Sequence, residues 1–294
     1  MTAIVIPPTL RDAVVDDGLP ERFAWRDALP ATIEQIAADW ALDLGAPYQP
    51  GGQYAWVAPA RTRTGDKLVL KVAWRQPEAE HEADGLRFWD GDGAVRCHAA
   101  HAYRASDALL LERCAPGTPL NCSLPEPEQD QVIAGLLRRL WDHPLPTTHA
   151  FRALTEMCDR WATELETDLA QDTRDLDPGL ANAALAALRE LPRSADRDVL
   201  LCTDLHAGNV LAAEREPWLA IDPKPFVGDP AYDATQHILN CDARLATDPA
   251  GLARRMAAML DVDPQRVQHR LFARCAQEAL HDPAMREPAR RLAL

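Results

Sequence analysis

Asp204, Asn209 and Asp222 are the residues whose types and spacing would do chemistry. In Leu200-Leu-Cys-Thr-Asp-Leu-His-Ala-Gly-Asn-Val-Leu211 an aspartate and an asparagine stand in a D-x-x-x-x-N spacing, and Ile221-Asp222-Pro223 supplies a second carboxylate further on. Two short apolar runs, Val199–Leu201 and Trp218–Ile221, flank the polar stretch and read as strands, which puts all three side chains on loops at strand ends. Phosphoryl transfer asks for such a set. One carboxylate accepts or orients a hydroxyl proton, while an amide oxygen and another carboxylate hold Mg2+ against a triphosphate. Asp204 is then the base, and Asn209 and Asp222 are the metal ligands. Taken singly, each would read as a turn residue, since Asp and Asn are common in loops. Their joint spacing, with the second strand ending in Ile-Asp-Pro, favours the catalytic reading.

The same chemistry needs a lysine for the α and β phosphates and a glutamate to orient it. Lys71 lies inside Leu68-Val-Leu-Lys-Val72, a strand-like run where a charged side chain requires a buried partner or a ligand unless it faces solvent. Its partner is expected from the charged segment after Pro77. Glu82 is the first choice and Glu80 the second; two residues apart on a helix they point in different directions, so one of them is ordinary surface charge. Pro50-Gly-Gly-Gln-Tyr54 offers Gly51 and Gly52 as a turn whose backbone amides can approach phosphate, and it reads also as a plain hairpin turn. Neither G-x-G-x-x-G nor a Walker GK[ST] occurs, which argues against both a protein kinase and a P-loop ATPase.

The elements that must position these residues follow from periodicity. Ile33, Ile36, Ala37, Trp40, Leu42 and Leu44 form an apolar stripe that predicts a helix over Thr32 to Leu44, in an N-terminal arm. Residues 48–73 read as strand, Gly-containing turn, strand, turn, strand. A charged helix follows from Glu78 to Trp89, and Val95–Tyr103 and Ala108–Glu112 read as two further strands. The order β-β-β-α-β-β implies a small, mostly antiparallel sheet with one helix. From Glu126 to Ala195, and again from Asp233 to Leu294, the pattern is helical, with Asp248 and Asp263 as N-caps before prolines. A linker near 114 to 120 divides the chain. Residues 1–114 are expected to hold the arm and a small nucleotide-binding lobe, and residues 115–294 a helical large lobe with the catalytic loop and the acceptor site.

With 294 residues, 47% of them hydrophobic, the chain can build real cores. Its 31 basic and 45 acidic residues give a formal net charge of -14. That field repels nucleic-acid phosphates and anionic membranes and suits a cationic small molecule. No basic n-region with an apolar core opens the chain, and no run approaches the roughly 18 apolar residues of a spanning helix, so a cytoplasmic protein without membrane or nucleic-acid partners is expected. Seven cysteines without a CxxC pair fit a reducing compartment. Cys97, His98 and His101 would still need a fourth ligand to hold zinc. Eight carboxylates (156, 159, 164, 166, 168, 172, 175 and 177) crowd a helical stretch that has two arginines. They either attract a cationic acceptor or form a solvated helix face.

Thr203-Asp-Leu-His-Ala-Gly-Asn-Val-Leu211 resembles the catalytic loop of aminoglycoside phosphotransferases. Ile221-Asp-Pro-Lys-Pro-Phe-Val-Gly-Asp-Pro-Ala-Tyr-Asp233 is similar to the streptomycin 6-phosphotransferase and hydroxyurea-kinase branch of that family. The likeness spans roughly residues 48 to 280 and is sharpest over 199–240. The family pattern has His-Gly where this chain has Cys202-Thr203. The resemblance implies an α+β, protein-kinase-like two-lobed fold, with a small β-rich N-lobe and a larger, mainly helical C-lobe. It implies ATP and Mg2+ as cofactors and transfer of the γ-phosphoryl group to a hydroxyl of a small molecule, first of all an aminoglycoside such as streptomycin, by a monomer or homodimer. Leu109-Leu-Leu-Glu-Arg-Cys114 is similar to the segment joining the lobes, which implies adenine contacts from the Glu112 carbonyl and the Cys114 amide. Hydroxyurea or another metabolite as acceptor, or an inactive nucleotide-binding regulatory module, are the alternatives. Asp229 and Asp233 are expected to brace the loop and cap the next helix, and His206 to pack. Lys224 either offsets phosphate charge or forms a structural ion pair.

Overall fold

Alternation along a single strand decides which way Lys71 points. The computed structural model describes residues 4–171 and 176–293, and the chain divides into Met1–Gly117 and Thr118–Leu294. In the first unit α1 (Pro8–Asp17) and α2 (Pro20–Asp39) precede β1 (Asp43–Leu44), β2 (Ala55–Arg61), β3 (Lys67–Trp74), α3 (Glu82–Trp89), β4 (Cys97–Tyr103) and β5 (Ser106–Glu112). The strands form an antiparallel sheet in the order β1-β2-β3-β5-β4. Val72 lies opposite Trp56 and Ala108, and Leu70 opposite Ala58 and Leu110. Opposed residues share a face, so these make one apolar surface, which Leu10, Val14, Trp25, Leu29, Ile33 and Ile36 of α1 and α2 cover. Lys71, opposite Val57 and Leu109, is turned to the other face. There Ala73, Ala100 and Leu109 line a cleft of about 180 Å³ together with Glu80, Glu82 and Ala83.

The helix expected over 32–44 starts and stops elsewhere. α2 begins at Pro20, carries Pro30 inside it and ends at Asp39. Proline at the first helical position is well tolerated, whereas an interior proline removes a helical bond and in sequence looks like a break. Beyond Asp39 the chain turns over at Ala41, with φ 54, and Leu44 pairs with Ala60 as β1. The first strand therefore precedes Tyr48. Ile33 and Ile36 are buried in α2, while Leu42 and Leu44 pack on the same core from outside any helix.

In the second unit α4 (Glu126–Trp141), α5 (Leu154–Gln171) and α6 (Pro178–Glu190) lead to β6 (Val199–Leu201), β7 (Val210–Ala212), β8 (Trp218–Ala220) and β9 (Phe226–Gly228). Then come α7 (Asp233–Leu239), α8 (Asp242–Thr247), α9 (Pro249–Leu260), α10 (Pro264–Glu278) and α11 (Arg286–Leu292). β6 pairs with β9 and β7 with β8, both antiparallel. These two ladders hold the loops 202–209 and 221–225 by their ends. Asp248 and Asp263 cap α9 and α10, accepting the Gly251 and Gln265 amides at 2.9 Å. Among the described residues no helix is long and apolar enough to cross a membrane.

Candidate active site

The loop from Cys202 to Asn209 folds back on itself through short bonds. The Asp204 amide donates to the Cys202 carbonyl at 2.8 Å and the Asn209 amide to the His206 carbonyl at 2.9 Å. Asn209 Nδ2 donates to the Asp204 carbonyl at 3.0 Å. With Nδ2 so engaged, Oδ1 is the atom of this amide left for a cation. Thr203 and Asp222 adopt φ 50 and φ 54, a left-handed conformation that costs a residue other than glycine about 1 kcal/mol or more. Thr203 is held there from two sides. Its amide donates to Asp233 Oδ1 at 2.8 Å, and its hydroxyl donates to the Lys224 carbonyl. The Lys224 amide returns to the Cys202 carbonyl at 2.9 Å. At the place where the resembled pattern has glycine, this chain accepts a strained threonine and gains a hydroxyl bond between the loops 202–209 and 221–225.

Asp204 is held at both carboxylate oxygens. Lys224 Nζ lies 2.6 Å from Oδ2, and Gln236 Nε2 lies 3.0 Å from Oδ1. Sequence reasoning missed Gln236, although its position three residues after Asp233 places both on one face of a helix. Asp233 is 1% exposed and accepts the Trp141 indole N–H at 3.0 Å and the Cys202 and Thr203 amides at 3.0 and 2.8 Å. Burial pushes its carboxyl up to about 6, against the pull of those donors. Asp229 accepts the Ala231 amide at 3.0 Å and pairs with Arg266 and Arg270 at 2.6 and 2.7 Å. The expected brace and cap therefore fall to one aspartate each: Asp233 braces the loop without capping α7, and Asp229 caps the turn Pro230–Tyr232 ahead of that helix. His206 Nδ1 accepts the Gly208 amide at 3.2 Å, and burial lowers its pKa, so the ring is a neutral acceptor.

In the first unit Lys71 Nζ lies 2.7 and 2.6 Å from the two oxygens of Glu82. Glu80 stands ahead of the helix, after the turn Pro77–Ala79, and is exposed. The turn at 50–54 is gripped by the N-terminal arm. The Thr9 amide donates to the Pro50 carbonyl at 3.3 Å, Arg22 donates to the Gln53 carbonyl at 2.5 Å, and its guanidinium stands 4.3 Å from the Tyr54 ring. Gly51, at φ 89, lies against Pro7, where a Cβ would come within 2.5 Å of the proline Cβ. Gly52 borders open space, its nearest neighbour being the Ala55 carbonyl oxygen at 3.8 Å from a built Cβ. Glu112 closes β5, its amide donating to the Arg96 carbonyl at 2.8 Å and its carboxylate accepting the Arg96 amide at 3.0 Å. Cys114 follows, half-buried.

The acidic stretch is built as a paired helix face. Asp159 meets Arg193 at 2.6 Å, Glu166 meets Arg189 at 2.7 Å, Glu164 meets Arg160 at 3.6 Å and Asp168 meets His281 at 3.1 Å. Asp177 caps α6 through the Gly179 and Leu180 amides, and Glu156 accepts the Ala153 amide. Asp172 and Asp175 lie outside the described residues. Nor do Cys97, His98 and His101 gather. Among the described residues, ligand atoms come within 4.8 Å of one another at Asp130, His237 and Cys241. There Arg244 already answers the carboxylate, at 3.0 and 2.5 Å.

Comparison with known proteins gives the family and the fold. The sequence profile of the aminoglycoside/hydroxyurea antibiotic resistance kinases matches residues 47–282. A streptomycin 6-kinase of Streptomyces glaucescens is 34% identical over 268 residues, covering 89% of this chain and 85% of the relative. A hydroxyurea phosphotransferase of Kitasatospora aureofaciens is 34% identical over 219 residues, covering 73% and 62%. An aminoglycoside phosphotransferase of Streptomyces rimosus, solved with ADP and streptomycin, superposes with a TM-score of 0.55 at 17% identity, covering 86% of this chain and 98% of that one, and so shares its protein-kinase-like fold. With a profile spanning most of the residues and a relative alike along nearly the whole chain, this small-molecule kinase belongs to the aminoglycoside/hydroxyurea antibiotic resistance kinase family.

Proposed function

We propose that this kinase transfers the γ-phosphoryl group of ATP to a hydroxyl of a cationic aminoglycoside of the streptomycin class. The observation that carries the chemistry is the Asp204 carboxylate, fixed by Lys224 and Gln236 on the loop that also presents Asn209. Asp204 takes the acceptor's hydroxyl proton as the acceptor oxygen bonds to the γ-phosphorus and the bond to ADP breaks. Asn209 Oδ1 and the Asp222 carboxylate are hard oxygen donors of the kind Mg2+ prefers, and the ion when bound neutralises phosphate charge. Lys71, oriented by Glu82, holds the α and β phosphates. The Glu112 carbonyl and Cys114 amide meet adenine, and the amides about Gly52 approach phosphate.

The acceptor assignment draws on kinship with streptomycin 6-kinase and on the net charge of -14. It does not draw on α5, whose carboxylates already have partners. All seven cysteines are free thiols, in keeping with work in the reducing cytoplasm. Hydroxyurea is the second reading, supported by the hydroxyurea phosphotransferase relative.

Purified protein with Mg-ATP, offered streptomycin, other aminoglycosides and hydroxyurea in turn, tests the proposal by ADP release and by the mass of the acceptor. Phosphorylated streptomycin is the expected product. Turnover of hydroxyurea alone would move the acceptor. No acceptor-dependent turnover, together with Mg2+-independent stabilisation by ATP, would make the protein a nucleotide-binding module.

A further inference from the structure

Two donors of different charge hold the Asp204 carboxylate. On Oδ2 sits an ammonium, Lys224 Nζ at 2.6 Å; on Oδ1 sits a neutral amide, Gln236 Nε2 at 3.0 Å. Both donors are placed by the frame that places the loop itself. The backbone of Lys224 is bonded to Cys202 and Thr203. Gln236 is one turn along α7 from Asp233, whose carboxylate grips the Cys202 and Thr203 amides. Side chains three apart on a helix share a face, so α7 fixes the backbone of the loop with one residue and the carboxylate of the loop with the other.

This arrangement has a chemical direction. A carboxylate bonded at both oxygens cannot rotate without giving up both bonds. An ammonium withdraws more electron density from Oδ2 than a neutral amide withdraws from Oδ1, and each oxygen keeps a second lone pair. Oδ1 is therefore the better proton acceptor of the two.

We propose that Gln236 is a positioning residue for the transfer, acting with Lys224 to fix the Asp204 carboxylate so that Oδ1 receives the acceptor's proton; the inference rests on Asp204 being the base. The acceptor O–H bond breaks toward Oδ1. The pair left on the acceptor oxygen forms the bond to the γ-phosphorus, and the pair of the breaking P–O bond stays with ADP. Gln236 suits the task because it is a donor without charge. A carboxylate at 236 would repel Asp204, and a cation there would make both oxygens poor bases.

Gln236→Leu, Gln236→Glu, Lys224→Met and Lys224→Arg, assayed with Mg-ATP and either streptomycin or hydroxyurea beside wild type and Asp204→Ala, test it. Gln236→Leu is expected to lower kcat roughly tenfold or more while the KM of both substrates stays within about twofold. Gln236→Glu, nearly equal in size, falls further, and Lys224→Arg recovers most of what Lys224→Met loses. Thermal melts accompany each variant. Should Gln236→Leu fail to fold, the near-isosteric Gln236→Glu decides. Wild-type kcat in Gln236→Glu, or a loss in Gln236→Leu that falls on KM alone, overturns the inference. Normal turnover by Asp204→Ala would strike down the base assignment itself, whereas an inactive Asp204→Ala beside unimpaired Gln236 variants would strike down only the clamp.

Discussion

Glu82 meets the Lys71 ammonium with both carboxylate oxygens, at 2.7 and 2.6 Å, where the lysine is 7% and the glutamate 2% exposed. Removing one partner of a buried pair strands the other, at about 3–5 kcal/mol. Glu82→Ala is expected to lower stability by about 3 kcal/mol and to raise the KM for ATP. Glu80→Ala, at an exposed site, should change both far less. Denaturant unfolding and nucleotide titration of the two variants check this, and a larger effect at Glu80 would refute the pairing.

Asp130 is expected to tie stability to acid. Burial alone would raise its pKa, but hydrogen bonds from His237 and Arg244, with their charge, bring it from 3.8 down to about 2. The unfolded chain regains the ordinary value, so the folded protein binds fewer protons across that interval. The contribution of Asp130 is present above about pH 4 and is lost as pH falls toward 2, a difference of roughly 2 kcal/mol. Asp130→Asn should flatten the stability curve in that window. An unchanged acid limb by denaturant unfolding would contradict the assignment.

Asp233 has the opposite sign. Its carboxyl is raised to about 6, so the folded protein keeps the proton longer than the unfolded chain. Its contribution is fullest below about pH 4 and declines as pH rises through 6. Asp233→Asn puts an NH2 donor where one carboxylate oxygen accepts, so either the Thr203 amide or the Cys202 amide and Trp141 indole lose their acceptor. Expected are a loss of about 2 kcal/mol, a smaller slope between pH 4 and 6, and a kcat reduced at least tenfold. Urea unfolding across pH, with steady-state kinetics, measures all three.

The two neighbouring glycines should part company. Gly51→Ala meets Pro7 and a positive φ, and is expected to destabilise by about 1–3 kcal/mol. Gly52→Ala has room. It should leave the melting temperature nearly unchanged while weakening ATP binding, because the added methyl crowds the backbone proposed to meet phosphate. Equal melting losses at both positions would remove Pro7 as the reason for Gly51.

Side chains that announce a charge in the wrong setting were legible in the sequence. Lys71 inside an apolar strand and the Asp204, Asn209 and Asp222 spacing stand out because few structural roles need them. The caps at Asp248 and Asp263 were legible for another reason, since an aspartate directly before a proline marks a helix start. Gln236 was not, because a polar residue on a helix has many uses and only the fold brings it to Asp204. β7 and β9 escaped because they are short and sit directly beside the Gly, Asn and Pro residues of the loops, where β6 and β8 stand as separate apolar runs. The true start of α2 was hidden by Pro30. The acidic stretch misled in another way. Composition counts Asp159 and Glu166 but does not show that Arg193 and Arg189 come from later in the chain to meet them.

The blanket of α1 and α2 over the sheet lies wholly ahead of residue 47, where the family profile begins. A protein trimmed to that profile would leave Trp56, Leu68, Leu70, Val72 and Leu110 bare to water, as one contiguous sticky patch. Such a fragment is expected to clump with itself rather than stay dispersed, and its inactivity would say nothing about the chemistry of Asp204.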